Sequence, residues 1–102
     1  MGRMVLAVET SFDDAAIAVI GGDGVVLASV QRLGSSQYKS WGGVVPEIAA
    51  RSHLTDLPVL FVALRERVQV SGLDAIAVTR GPGLMGSLLV GLSFAQGLAV
   101  AA

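Results

Sequence analysis

The sequence contains no cysteine, and it has few of the side chains on which many functional classes depend. Without cysteine the chain forms no disulfide and holds no cysteine-ligated zinc, and its single histidine excludes a two-histidine zinc motif. Charged residues make up 15% of the chain, below the roughly 25% typical of soluble domains, and the formal net charge is −1. A protein that binds nucleic acid by itself needs a basic face for the phosphates, so this charge argues against that function.

Hydrophobic residues are abundant by contrast, since they make up 53% of the 102 residues, and the chain also contains 13 glycines. A chain of this length forms one small domain that can bury a real core. The charged side chains are too few to cover the surface of an independent domain. We therefore expect part of the apolar surface to contact a partner or a further part of the same protein.

The stretch 81–102 carries no charge and is nearly long enough to cross a bilayer. Its glycines, serines and glutamine indicate instead a loop that leads into a closely packed, buried helix. The first residues do not form a signal peptide, because their apolar run stops at Glu9 without a cleavage segment behind it. We therefore expect no membrane contact and a cytoplasmic location.

Apolar patterns and turn signals predict six elements in the order β-β-β-α-β-α. The predicted strands are residues 4–10, 15–20, 25–31 and 74–79, and the predicted helices are residues 46–69 and 87–102. The Gly-Gly-Asp-Gly sequence at residues 21–24 is typical of a tight hairpin turn, so the first three strands form an antiparallel meander. A helix before the fourth strand indicates a crossover connection. The sequence thus predicts an α/β fold with helices packed on a mixed sheet.

The first predicted helix contains an internal proline. Leucine and phenylalanine recur at steps of three and four in residues 46–69, but Pro58 interrupts the pattern. Either the helix kinks at Pro58, or one helix ends near His53 and another begins with Thr55 or Asp56 as its cap. His53 is the only histidine, and a lone histidine in a helix is more often a hydrogen-bonded structural residue than a metal ligand.

Apolar side chains also occur outside the main stripe of this helix and in the segment before it. Val59 and Val62 lie off the stripe, which predicts a helix buried on two sides. Residues 33–43 are polar and rich in glycine, and they predict a loop that Tyr38 and Trp41 anchor.

Carboxylates and hydroxyls are concentrated between the first two predicted strands. This segment, residues 9–14, consists of Glu9, Thr10, Ser11, Phe12, Asp13 and Asp14. Carboxylates this close do not all ionise freely without compensation, which favours a cation or a bound metal-nucleotide nearby. The alternative is a solvated turn whose Asp and Ser side chains cap local amides.

A glycine-rich loop lies between the fourth strand and the last helix. Residues 81–86, Gly-Pro-Gly-Leu-Met-Gly, formally fit the pattern G-x-G-x-x-G. A dinucleotide-binding fold has this loop after its first strand, however, so the match does not predict that fold. Small residues here allow backbone amides and a helix N-terminus to approach a ligand or a neighbouring chain. The alternative is that they only allow the helix to pack closely on the sheet.

Three segments in order point to a family. They are residues 9–14, residues 42–47 (Gly-Gly-Val-Val-Pro-Glu) with Arg51-Ser52-His53 close behind, and residues 81–91. Together they closely resemble the amino-terminal part of the TsaD family of tRNA threonylcarbamoyladenosine transferases, also called M22-type glycoproteases. The resemblance covers nearly the whole chain. It implies the actin-like ATPase (ribonuclease H-like) fold, with two lobes about a nucleotide cleft, so residues 1–102 would form a partial first lobe and the second lobe would be absent.

The resemblance also implies an activity and a set of site residues. The family transfers threonylcarbamoyl from threonylcarbamoyl-AMP to N6 of the adenosine beside the tRNA anticodon. Carried over, the catalytic residues would be Asp13 and Asp14, and the residues that bind substrate or nucleotide would be Thr10, Ser11, Gly81, Gly83 and Leu84. Phe12 stands where the family usually has cysteine, and Asp14 where glutamate is usual.

Cofactors and partners follow from the same resemblance. The family's metal-binding histidines would lie beyond Ala102, so we expect no metal ligand and no cofactor within this chain, which would be inactive alone. The complete protein would bind iron or zinc and a nucleotide, either ATP or threonylcarbamoyl-AMP. Helices 47–69 and 87–102 would pair with a TsaB-like paralogue or a second copy of the chain, and tRNA would bind the complete complex. The alternative is a non-catalytic TsaB-like lobe that acts through this pairing, whereas a protease would need a nucleophile–base pair that these residues lack.

Overall fold

A computed structural model describes residues 3–34 and 46–101 of the protein. The elements are β1 (Met4–Glu9), β2 (Ala15–Gly21), β3 (Val26–Arg32), α1 (Pro46–Arg65), β4 (Ala75–Val78) and α2 (Met85–Ala101). The four strands form one sheet in the order β3-β2-β1-β4. β1 pairs antiparallel with β2 and parallel with β4, and β2 pairs antiparallel with β3. The predicted meander, crossover and mixed sheet are therefore confirmed.

The core lies between the sheet and the two helices. Alternate residues of the paired strands face the helices, so Leu6 and Val8 of β1 are buried beside Val19 and Ile17 of β2. On the helix side they meet three buried leucines of α1, which are Leu57, Leu60 and Leu64. Each such side chain contributes about 1.5–3 kcal/mol when it leaves water, so this layer holds α1 on the meander.

Helix α1 runs without interruption from Pro46 to Arg65 and contains Pro58 inside it. Of the two alternatives that the sequence leaves open, a first helix that ends near His53 and a second that follows it is therefore wrong, and a single helix is present. Asp56, predicted as a possible cap, instead lies within the helix and is buried, with its carboxylate 3.6 Å from the Arg32 guanidinium on β3. The exposed position of Pro58 places its ring away from the core.

Both helices end or begin close to the predicted residues. α1 stops at Arg65 rather than residue 69, and the Val68 amide donates to the Leu64 carbonyl in the turn that follows. Helix α2 begins at Met85, two residues earlier than predicted. In the described part of the chain, no helix is long and apolar enough to cross a membrane.

Two further predictions concern the outer face of α1 and the segment before it. Val59 and Val62 are 52% and 54% exposed, so α1 is not buried on two sides by the described residues, in contrast to the prediction. The predicted loop anchors Tyr38 and Trp41, and the Gly-Gly-Val-Val part of the second family segment, lie outside the described residues.

Candidate functional site

Parallel pairing brings the segments after β1 and β4 to the same edge of the sheet. Val8 of β1 is opposite Val78 of β4, and the Thr79 amide continues the pairing with a hydrogen bond of 3.0 Å to the Val8 carbonyl. Both chains then leave the sheet side by side. This edge, at the carboxyl ends of parallel strands, is where open α/β sheets bind ligands. We call residues 10–14 the acidic turn and residues 81–84 the glycine loop.

Direct contacts join the acidic turn to the glycine loop. The Leu84 amide donates to the Ser11 carbonyl at 2.7 Å. Gly83 lies so close to Ser11 that an added Cβ would be 2.8 Å from the Ser11 Cβ, a separation that side chains do not tolerate. Neither Gly81 nor Gly83 has a positive φ, so Gly83 is required here for close approach and not for its backbone angles. The close packing predicted as one role of these small residues is present.

Thr10 connects the acidic turn to α2. Its side chain is fully buried, and its hydroxyl donates to the Ser87 carbonyl at 2.7 Å. Gly91, one helical turn further along α2, leaves the space that the Thr10 hydroxyl occupies. The Thr10 side chain, which the sequence predicts to bind substrate or nucleotide, is thus buried and holds β1 against α2.

Ser11 is held by Glu9, the residue two positions before it. The Glu9 carboxylate accepts hydrogen bonds from the Ser11 amide at 3.1 Å and from the Ser11 hydroxyl at 2.7 Å. Desolvation by itself would raise the pKa of Glu9, but hydrogen bonds from Ser11 and Thr79 and the nearby His53 outweigh it and leave the pKa below its ordinary value. Glu9 is thus ionised at neutral pH and fixes the Ser11 hydroxyl, which the sequence did not reveal.

The two aspartates of the turn have different surroundings. Asp14 accepts a hydrogen bond from the Gly34 amide at 2.8 Å, so its carboxylate ties the acidic turn to the end of β3. Asp13 is partly exposed, and its carboxylate has no hydrogen-bond partner among the described residues. Within residues 3–34 and 46–101, Asp13 is therefore the aspartate of the turn whose carboxylate can accept a hydrogen bond from a ligand without giving up another one.

His53 lies beneath the acidic turn. It projects from α1 into the core, is fully buried, and places Nε2 at 2.7 Å from the Phe12 carbonyl oxygen. The interpretation of His53 as a hydrogen-bonded structural residue is therefore confirmed. The described residues contain no group of three or more His, Asp or Glu side chains that could hold a metal ion.

The predicted site residues thus fall into one cluster at one edge of the sheet. Ser11, Gly83 and Leu84 are in direct contact, and Asp13 and Asp14 lie in the same turn. Gly81 is exposed in the glycine loop with open space beside it. Glu9 and His53 also belong to this cluster. The two-residue period of a strand places Glu9 on the same side as Ser11, but no sequence signal brings His53 to Phe12, 41 positions away.

Comparison with known proteins gives a consistent match. A family profile described as "TsaD: tRNA N6-adenosine threonylcarbamoyltransferase" matches residues 25–102. The chain is 48% identical over 99 residues to the tRNA N6-adenosine threonylcarbamoyltransferase of Fervidobacterium nodosum, which covers 95% of this chain and 29% of that protein. It is 46% identical over 101 residues to the protein of the same name from Gluconobacter oxydans, which covers 97% of this chain and 27% of that protein. The chain therefore spans less than a third of the length of these relatives.

Solved structures agree with the fold. The chain superposes on YeaZ from Pseudomonas aeruginosa with a TM-score of 0.69 and 26% identity, over 97% of this chain and 39% of that one. A second structure, described as an uncharacterized protein with similarity to peptidase YEAZ from the same organism, gives a TM-score of 0.67. The mixed sheet with two helices on one face is thus an incomplete α/β lobe of the actin-like ATPase fold, as predicted.

Proposed function

Because the chain belongs to the TsaD family of tRNA N6-adenosine threonylcarbamoyltransferases, we propose that it forms a partial first lobe of such an enzyme. The reaction would move threonylcarbamoyl from threonylcarbamoyl-AMP to N6 of the adenosine beside the tRNA anticodon. One observation carries the assignment to this site. The acidic turn and the glycine loop, which are far apart in the chain, form one continuous surface through the Leu84–Ser11 hydrogen bond.

Backbone amides on this surface suit the phosphate of the adenylate. The first amides of α2, at Met85 and Gly86, have no carbonyl partner within the helix, and both residues are exposed. They also lie at the positive end of the helix dipole, which favours an anion. Leu84 and Gly83 hold this helix end beside Ser11, so a phosphate at the α2 N-terminus would also meet the acidic turn.

Asp13 would act on the acceptor amine. In the transfer, the adenosine N6 attacks the carbamoyl carbon, the bond from that carbon to the adenylate phosphate oxygen breaks, and a proton leaves N6. A free carboxylate at the surface can orient the amine and accept that proton, a role that contributes about 10²–10⁴-fold to rates. Asp14, held by Gly34, would support Asp13 by fixing the turn from the β3 side.

A metal site does not fit the described residues, because no three potential ligands lie together among them. If the complete enzyme uses iron or zinc, other residues must hold it. The roles given above to Asp13 and to the backbone amides involve no metal ion. We also propose that this chain alone does not transfer threonylcarbamoyl, and that tRNA binds the complete assembly.

A chimera tests the function. Residues 3–101 would replace the matching segment of the Fervidobacterium nodosum enzyme, with which the chain shares 48% identity. We expect the chimera to transfer threonylcarbamoyl to tRNA, and Asp13→Asn in it to lower kcat by about 10²-fold or more. Asp23→Asn, in the exposed hairpin turn, is the matched control and should leave kcat unchanged. A folded chimera without activity, or activity of the isolated chain, would contradict the proposal.

The outer faces of the helices favour a second candidate function, that of a partner lobe that acts by pairing with a related subunit. Large apolar side chains are exposed there, on α1 at Leu54, Val59 and Val62 and on α2 at Met85, Leu89, Leu92 and Val100. Exposed apolar area of this kind marks contact surfaces. Pairing through both helices predicts a dimer that Leu89→Glu disrupts, whereas Val26→Glu on β3 does not. A monomeric mass for the unmodified chain at micromolar concentration would contradict it.

A further inference from the structure

His53 is a buried polar group that the proposed reaction does not use. Its side chain has no exposed area, yet it contributes a hydrogen-bonding ring to an otherwise leucine-rich face of α1. Its Nε2 lies 2.7 Å from the Phe12 carbonyl oxygen. A carbonyl oxygen only accepts, so Nε2 must carry a hydrogen and donate it to this oxygen. Nδ1 is buried without a hydrogen-bond partner in the described structure, which costs stability.

The contact sets the direction of one peptide group. In a planar trans peptide the carbonyl of one residue and the amide of the next point in opposite directions. Because the Phe12 carbonyl points inward to His53, the Asp13 amide points away from the core. The Phe12 ring is 50% exposed, so the carbonyl connects this part of the acidic turn to the core more firmly than the side chain does.

We propose that His53 is a positioning residue that orients the Phe12–Asp13 peptide, so that the Asp13 amide faces an anionic ligand at the sheet edge. The buried ring acts through Phe12 and does not touch the ligand. The proposal rests on the proposed function for the identity of that ligand, the adenylate phosphate. Its structural part, the direction of the peptide, can be measured without any ligand.

The tautomer of His53 is the first test. Because the chain has one histidine, a long-range proton–nitrogen NMR spectrum of the whole protein contains the signals of one imidazole. We expect Nε2 to carry a hydrogen, as donation to the Phe12 carbonyl requires. A ring without a hydrogen on Nε2 would overturn the proposal, since it could not donate to the Phe12 carbonyl.

Two similar variants separate positioning from packing. In His53→Gln the side-chain NH2 reaches about as far as Nε2, whereas in His53→Asn it reaches only to the place of Nδ1. We expect the Asp13 amide to keep its wild-type chemical shift and hydrogen-exchange rate in the Gln variant. In the Asn variant we expect both quantities to change. Equal disturbance of Asp13 in the two variants, or none in the Asn variant, would overturn the proposal. If neither variant folds, the tautomer measurement decides.

Binding of AMP, the leaving group of the proposed reaction, supplies the functional measurement. We expect wild type and the Gln variant to bind AMP equally, and the Asn variant to bind about tenfold more weakly because one amide donor is misdirected. Equal affinity of the folded Asn variant would overturn a role of His53 in ligand binding. If wild type does not bind AMP while Asp13 responds to the variants as expected, the assignment of the ligand fails and the orientation of the peptide stands.

Discussion

Among single residues, Gly83 joins the glycine loop to the acidic turn by packing against Ser11. An added Cβ would lie 2.5 Å from the Ser11 carbonyl oxygen and 2.8 Å from its Cβ. We expect Gly83→Ala to lower the free energy of unfolding by about 1–3 kcal/mol, the usual cost of forcing atoms into a packed contact. Urea unfolding measures the change. Gly81→Ala is the control in the same loop, where an added Cβ meets nothing within 4 Å. Equal stability of the two variants would show that the acidic turn and the glycine loop are not in contact.

The Glu9 carboxylate gives the site a pH dependence. Its pKa in the folded chain lies below the ordinary value because hydrogen bonds from Ser11 and Thr79 favour the ionised form over the effect of desolvation. A carboxyl group whose pKa is lowered by folding stabilises the fold at pH values above its unfolded-state pKa, which is about 4.3. This contribution is lost as the pH falls through the folded-state pKa. Relative to Glu9→Gln, the free energy of unfolding of the wild-type chain should therefore fall as the pH is lowered from 7 through the folded-state pKa of Glu9.

Unfolding of both proteins across this pH range measures the difference. Glu66→Gln, at an exposed position just after α1, is the control and should follow wild type at every pH. A constant difference between wild type and Glu9→Gln would contradict the hydrogen-bonded Glu9 carboxylate.

Sequence reasoning predicted some of these residue-level features. The small size of Gly83 indicated close backbone approach, and the approach to Ser11 is present. The partner of the Ser11 hydroxyl was not foreseen, because a cluster of acids and hydroxyls permits many pairings until the backbone fixes one. Burial of Thr10 was missed for a similar reason, since it depends on where α2 crosses the end of β1.

At the scale of elements, two glycines of α2 have opposite surroundings. Gly91 is buried against Thr10, whereas an added Cβ at Gly97 meets nothing within 4 Å. We expect Gly97→Ala to raise the free energy of unfolding by about 0.5–1 kcal/mol through helix propensity. Gly91→Ala gains the same helix propensity but should lower the free energy of unfolding by about 1–3 kcal/mol, because the added methyl group collides with Thr10 and pushes α2 away from β1. Thermal unfolding of the pair measures both effects, and equal shifts would contradict the packing of α2 on β1.

Element types and order could be predicted from the sequence, and element ends less well. The β2–β3 hairpin followed from its glycines, and Gly24 has the positive φ of 87° that such turns need. The sequence predicts that α1 ends at residue 69, because apolar residues continue at helical steps beyond Arg65, where the helix ends. Val68 does pack against the core, but from the turn after the helix. The apolar periodicity therefore predicted the packing of Val68 on the core correctly and the length of α1 incorrectly.

For the whole molecule, topology determines the site. A parallel strand added beside β1 through a crossover helix brings residues 10–14 and 81–84 together, although about 70 residues separate them. The sequence predicted both the topology and the two segments. Their chemistry required the resemblance to a family, because an acidic turn and a glycine loop are each common alone. The exposed apolar helix faces agree with a chain that spans less than a third of its relatives.

The proposed function requires that the acidic turn and the glycine loop together form one surface that contacts the adenylate phosphate. Amide chemical-shift mapping of the isotope-labelled chain during titration with AMP tests it most directly. We expect the largest shifts to occur together in residues 11–14 and 83–86 and to follow one binding curve. Shifts confined to one of these segments, or located on the outer helix faces, would contradict it.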